Sequence, residues 1–248
     1  MKPKQLAGAV MAVAVFQFAG AAEIKVLSAG AVEPGLKAAA SAFQKDSGHE
    51  VKLSFNTAPQ IRKRIGDGEV QDVVIAPPAL IDELSKTGKL APQHVNVGRV
   101  GMGVAVRPGA PVPDISSAEA LKKSVLDADS IVYNRASSGL YFEGLLKKMG
   151  VFDQVDKKST RYADGAAVMD HVLKGKGREI GFGPITEILQ HRDHGLKLVG
   201  PLPAEVQNYT SYAASVMTGA TSASAAQDFV RYLGMPAAKK LFVAAGIE

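Results

Sequence analysis

Short β-rich runs alternate with amphipathic helical stretches along most of this chain, and that alternation restricts the fold more than any other feature. The runs are IKVLSA (24–29), EVKLSF (50–55), DVVIAP (72–77), GMGVAVR (101–107), SIVYN (130–134), REIGFG (178–183) and LKLVG (196–200). Strands that alternate with helices predict an α/β architecture with largely parallel sheets. The helices announce their own starts, because proline suits the first turn, where its missing N–H costs nothing. Pro34 opens a helix with Leu36, Ala39, Ala40 and Phe43 on one face that stops at Gly48; Pro59 opens one with Ile61 and Ile65. Pro78 precedes Leu80, Ile81 and Leu84, and Pro184 precedes Ile185, Ile188 and Leu189. Two stretches break the rhythm, VRPGAPVPDISSAEALKKSV after residue 105 and GPLPAEVQNYTSY after residue 199. Clustered Pro and Gly there mark places where a chain leaves one lobe for another. The expected division is lobe I over 23–104 and 207–248, lobe II over 105–206, with a cleft between them.

Lys2 and Lys4 precede an apolar run from Leu6 to Phe18 and the small residues Ala19-Gly20-Ala21-Ala22. That order is the pattern of a cleavable secretory signal over residues 1–22, and the run is shorter than the roughly 20 residues a spanning helix needs. The expected location is therefore the periplasm, with 226 of the 248 residues remaining. With 0 Cys the exported chain has no disulfides and must rely on an ordinary core. Without Lys2 and Lys4 the balance is 27 basic to 24 acidic residues. The basic pairs are scattered along helices and 0 Trp is present, which fits solvated helix faces better than a nucleic-acid surface.

Four joints repeat one arrangement, a strand followed by small residues and then a helix: LSAGAVEPG (27–35), SFNTAPQI (54–61), YNRASSG (133–139) and GFGPITE (181–187). In open α/β sheets the ligand crevice lies beyond the carboxyl ends of the strands, where such joints sit. Helix N-termini there present unpaired N–H groups and partial positive charge, so several converging on one cleft make an anion site without a cofactor. The same residue types also serve as ordinary caps and turns. Arg135, at the third joint, has the fork geometry to pair with a carboxylate or phosphate-type group. No G-x-S-x-G, H-E-x-x-H or P-loop spacing occurs. Asp164, Asp170 and Glu187 are carboxylates near the expected cleft, but nothing in the sequence pairs them as acid and base. His191 and His194, three apart, lack further ligands that would make a metal site.

Taken together, IKVLSAGAVEPGLKAAASAFQKDSGHEVKLSF, GEVQDVVIAPPALIDELSKTGKL, GVAVRPGAPVPDISSAEALKKSVLDADSIVYN and DFVRYLGMPAAKKLFVAAGIE make the chain resemble a periplasmic solute-binding protein of a bacterial ABC importer. The class is the two-lobed class II fold and the family the molybdate binders. The resemblance implies two α/β lobes joined by two crossover strands, closing over an oxyanion that is handed to a membrane permease, by a monomer without cofactor or catalysis. At the joints the ligand residues expected are Ser28, Ala29, Gly30, Ala31, Thr57, Ala58, Arg135, Ser137, Ser138, Ala166 and Pro184. Three departures bear on the ligand. Ala31 stands where the family has a hydroxyl, Asn56-Thr57-Ala58-Pro59 keeps one of several, and Pro184 follows Gly-Phe-Gly where the family has Tyr. Backbone N–H groups at Ala58, Ser138 and Ala166 remain available whatever the side chain. The ligand is thus a molybdate- or tungstate-type oxyanion or another small anion such as an organic carboxylate, and a secreted hydrolase of a small anionic substrate is the competing class. A transcription-regulator sensor is disfavoured, since no DNA-binding helix pair precedes the fold.

Overall fold

The computed structural model describes residues 20–248, so the export signal expected over 1–22 lies, as far as residue 19, outside the described residues. Among the described residues no helix is long and apolar enough to cross a membrane. The chain runs β1 (Glu23–Ala29), a 3₁₀ turn (Gly30–Val32), α1 (Glu33–Ser47), β2 (Glu50–Asn56), α2 (Ala58–Gly66), β3 (Val73–Ala76), α3 (Pro78–Lys86) and β4 (Val95–Val106). It continues through α4 (Ala118–Asp127), β5 (Ser130–Asn134), α5 (Ser137–Lys148), α6 (Phe152–Val155), β6 (Ser159–Tyr162), α7 (Gly165–Lys174), β7 (Glu179–Pro184) and α8 (Ile185–Gln190). The last elements are β8 (Lys197–Pro201), β9 (Tyr209–Val216), α9 (Ala223–Leu233) and α10 (Pro236–Ala244).

The helix starts fall where proline placed them. α1 buries Leu36, Ala39, Ala40 and Phe43 and ends at Gly48, which takes φ 75°. α2 is opened by a capping box between Thr57 and Gln60, and α3 buries Leu80, Ile81 and Leu84. Each such Leu, Ile or Phe contributes about 2 kcal/mol on burial, so the apolar stripes fix how the helices seat on the sheet.

One nine-stranded sheet carries everything, in the order β2-β1-β3-β9-β4-β7-β5-β6 with β8 beside β4. β1 pairs in parallel with β2 and β3, and β5 with β6 and β7. The sheet is mixed rather than largely parallel, and every antiparallel pairing involves β4 or β9. β4 is long, 12 residues, because it alone serves both halves. β4 pairs with β9 as far as Gly101 and then, from Met102, with β7. Gln207 pins the handover: its Oε1 accepts from Met102 N at 3.1 Å and its Nε2 donates to Met102 O at 3.0 Å.

Successive strand residues point to opposite faces, and each half of the sheet accordingly has a core on each face. Val73 and Ile75 of β3 join a cluster with Phe43, Phe229 and Phe242, while Val74 and Ala76 face Ile61, Ile65 and Leu80. In the other half Ile131 and Tyr133 pack with Phe142 and Phe182, and Val132 packs with Val168, Met169 and Ile188. The carboxyl ends of β1, β2, β3, β5 and β7 all open onto the same space.

Candidate functional site

That space is a cleft of about 290 Å³ lined from both halves of the sheet. The first joint contributes Ala29, Gly30 and Ala31, and the second Thr57 and Ala58. The third contributes Ser137 and Ser138, the start of α7 contributes Ala166, and the fourth joint Pro184. Nine of the eleven residues expected at the site are thereby brought together. Ser28 and Arg135 are not. Ser28 is fully buried behind the strand end, its Oγ donating to Ala29 O at 3.1 Å. Arg135 is exposed, held by its backbone N–H to Tyr162 O at 2.8 Å, and does not line the cleft. It sits between Asn134 and Ala136, whose side chains both turn inward, so the next residue along necessarily points out.

The side-chain hydroxyls at the joints are largely committed to local structure. Thr57 Oγ1 donates to Gln60 Oε1 at 3.0 Å, and the same oxygen accepts from Thr57 N at 2.8 Å. Ser138 Oγ is bonded to Asn134, accepting from Nδ2 at 3.2 Å. Asn134 ends β5 and caps α5: its Oδ1 accepts from Ala136 N at 3.0 Å and Gly139 N at 3.2 Å. Gly139 is required by that closeness, since a Cβ there would fall 1.6 Å from Asn134 O. α7 is capped by Asp164, whose Oδ1 accepts from Ala167 N at 3.0 Å. Helix starts whose first N–H groups have no intrahelical acceptor thus face the cleft at α2, α5 and α7.

The charge of the lining is unexpected for an anion site. No Lys or Arg lines it; Glu33, Asp164, Glu187 and His191 do. Asp170, the third carboxylate singled out in the sequence, lies outside, facing Lys174 at 3.4 Å. Glu33 is paired with Lys37 at 2.5 Å. Glu187 has no such partner: its Oε2 is enclosed and receives no hydrogen bond. Burial, and after it the charges of Asp164 and Glu33, push the Glu187 carboxyl up to about 7. The oxygens are wedged between the two halves, because a Cβ on Gly165 would lie 1.6 Å from Oε2 and one on Gly30 3.2 Å from Oε1.

α8, which carries Glu187, also ties the halves together. Thr186 Oγ1 donates to Ala31 O at 2.6 Å, a buried bond between residues 155 apart. His191 Nδ1 donates to the Glu187 carbonyl at 3.0 Å, closing the helix end and leaving the carboxyl alone. His194 lies next to His191, 5.9 Å between ring centroids, but is exposed and outside the cleft. Among the described residues no cluster of three or more His, Cys, Asp or Glu has the geometry to hold a metal ion. Tyr212 reaches the cleft from β9, not from β7 where a family tyrosine was sought; burial raises its hydroxyl well above the usual range. Sequence reasoning missed Asn134, Gln60 and Tyr212, and named Glu187 without a role. Only Asn134 left a local trace, as the Asx residue that ends a strand before a helix.

The chain belongs to the bacterial extracellular solute-binding protein family, which residues 24–248 match. It is 28% identical over 233 residues to a protein of Pseudomonas sp. named aconitate isomerase, covering 91% of this chain and 87% of that one. It is 25% identical over 242 residues to the molybdate-binding protein ModA of Haemophilus influenzae, covering 94% and 92%. The fold matches the periplasmic molybdate-binding protein of Azotobacter vinelandii with a TM-score of 0.76 at 18% identity, over 91% of this chain and 98% of that one. The family match removes the hydrolase alternative. The expectation of a purely non-catalytic chain now stands beside a relative named as an enzyme.

Proposed function

We propose that this family member is the extracytoplasmic solute-binding component of an ABC importer and that its ligand is a small organic carboxylate held between the two halves of the sheet. The observation that carries the ligand class is the lining itself: helix N-termini without a basic side chain, hydroxyls committed to caps, and a carboxyl poised to carry a proton. A tetrahedral dianion needs most of its four oxygens satisfied by donors at once, and an unpaired charged oxygen is costly. A planar carboxylate needs fewer donors per group, and backbone N–H pairs at the starts of α5 and α7 suit it. A protonated Glu187 adds a donor, whereas an ionised one would repel any anion. The relative named for aconitate, a tricarboxylate, supports this class.

The ligand contacts we propose are the backbone of Ala29, Gly30 and Ala31, Thr57 and Ala58, Ser137 and Ser138, and Ala166, with Pro184 closing the floor. Lobe I would comprise residues 23–104 and 207–248, and lobe II residues 105–206. Binding stabilises a closed form because the ligand bridges helix starts from both lobes. The closed monomer would then dock on a membrane permease in the periplasm. Molybdate or tungstate is the second reading, supported by the 25% identical relative. Thermal stabilisation of the mature chain tests both, since a ligand that binds only the folded state raises its apparent stability. The carboxylate reading expects a shift with citrate or aconitate and none with molybdate, tungstate or sulfate. A shift with molybdate alone refutes it.

A further inference from the structure

We propose that Glu187 is the specificity-determining residue of the cleft: it admits an anion only together with one proton, which its carboxyl then shares with a ligand carboxylate. The proposal rests on the carboxylate ligand proposed above and adds the proton as a second ligand. It starts from an oddity of placement. A buried carboxyl is normally held by a cation or by several donors, because an unpaired one is costly. Here Oε2 is enclosed and accepts nothing, while the side chain lines the cleft. The two oxygens lie between the halves, Oε2 against Gly165 at the start of α7 and Oε1 beside Gly30 of the first joint. No structural duty explains the group: Thr186, its neighbour, makes the bond that joins the halves, and His191 bonds the Glu187 carbonyl.

The groups around it come from several elements, and none neutralises it. Asp164 caps α7, Glu33 opens α1 and is paired with Lys37, Tyr212 reaches in from β9, and His191 follows one turn along α8. No cation of the elements packed on α8 reaches it: Arg99 of β4 is paired with Glu248, and Lys174, Lys197 and Arg192 lie outside the cleft. An anion brought among these groups adds negative charge beside an unpaired carboxyl, and neighbouring like charges disfavour each other's ionisation. The anion therefore draws a proton onto Glu187, and by reciprocity the protonated carboxyl binds the anion more tightly. The proton is also a bond. An O–H donated to a carboxylate is charge-assisted and roughly twice as strong as a neutral hydrogen bond, in a cleft where the hydroxyls of Thr57 and Ser138 are already committed. Burial, with Asp164 and Glu33, pushes the carboxyl up to about 7, so the proton is loaded and lost around neutral pH. The starts of α5 and α7 meet the charge that remains on the ligand, and anion and proton enter and leave together.

The test is calorimetry of the mature chain with citrate and with aconitate at pH 6, 8 and 9, in Tris and in Hepes, whose protonation enthalpies differ. At pH 8 the expected result is uptake of about one proton per ligand, and from pH 8 to 9 an affinity that falls about ten-fold, as the loss of one required proton near 7 demands. Glu187→Gln keeps a donor and cannot ionise, so it should take up no proton and change affinity by less than about two-fold over the same interval. His191→Gln, which removes the other titratable side chain that α8 brings to the cleft, should keep the full pH dependence whatever it does to affinity. A thermal melt of each variant shows that it folds. A pH dependence that survives in Glu187→Gln, or disappears in His191→Gln, removes the assignment to Glu187. Binding of either carboxylate by the parent with no proton uptake and no pH dependence overturns this proposal and leaves the carboxylate reading intact. No binding of citrate or aconitate even at pH 6 overturns both.

Discussion

Replacing Glu187 with Gln should change the pH dependence of folding stability by an amount that the structure sets. The carboxyl is pushed from 4.5 to about 7 in the folded chain, first by burial and then by Asp164 and Glu33. Its folded value lies above its unfolded one, so below 4.5 both states carry the proton and nothing is lost. Between 4.5 and about 7 the unfolded chain releases the proton while the folded chain keeps it, and stability falls as pH rises. Above 7 the penalty is constant. Its full size is about 3 kcal/mol, from the ordinary conversion of a pKa difference into free energy. Gln preserves shape and loses the titration, so whatever a buried amide costs is the same at every pH. Urea unfolding of both proteins at pH 4.5, 6 and 8 should therefore show the difference between variant and parent growing toward high pH. At a slope of about 3 kcal/mol per molar, the variant's midpoint should gain roughly 1 M between the two extremes relative to the parent. Taking the difference cancels the titrating groups that do not interact with Glu187. A pH-independent difference would mean that Glu187 is solvated or paired in solution, and would undo the electrostatic account of the cleft.

Three further outcomes follow from the geometry. Gly139→Ala drives a Cβ into Asn134 O at 1.6 Å and should cost about 1–3 kcal/mol and displace the start of α5; Gly144→Ala, on the same helix with nothing within 4 Å, should instead stabilise by about 0.5–1 kcal/mol. Equal denaturation midpoints for the two would contradict the packing at that joint. Thr186→Val removes the buried bond to Ala31 O, for a loss of about 1–3 kcal/mol in chemical denaturation. Arg135→Ala should leave calorimetric affinity for any anion within about two-fold, because the side chain is exposed and outside the cleft; a ten-fold loss would place it in the closed site after all.

The parts of this molecule that were legible in the sequence are those with a local cause. Proline at the first turn, an apolar stripe at helical spacing and a glycine stop gave α1 to within a residue, and small residues at strand ends gave the floor of the cleft. Arg135 was misplaced because a one-residue change of phase at a strand end exchanges inside for outside, and the sequence does not say where the strand stops. β6 and β9 were not read as strands. β6 is four half-buried residues with no alternation. β9 begins with exposed Tyr209, and its identity comes from pairing with β3 and β4, far away in the chain.

Glu187 marks the deeper limit. As a letter it is one of 24 acidic residues, and its neighbours along α8 are ordinary. What distinguishes it is that Asp164, Glu33 and the backbones of Gly30 and Gly165 arrive around it from other strand ends while no cation does. Its character is a property of how the two half-sheets meet, held at that point by Thr186. The same topology that collects helix N-termini for an anion also collects their acidic caps, Asp164 among them. In a cleft lined without Arg or Lys a bound anion would have only helix dipoles to balance its charge, and in that setting the single unpaired carboxyl of Glu187 would bear directly on which anion is tolerated.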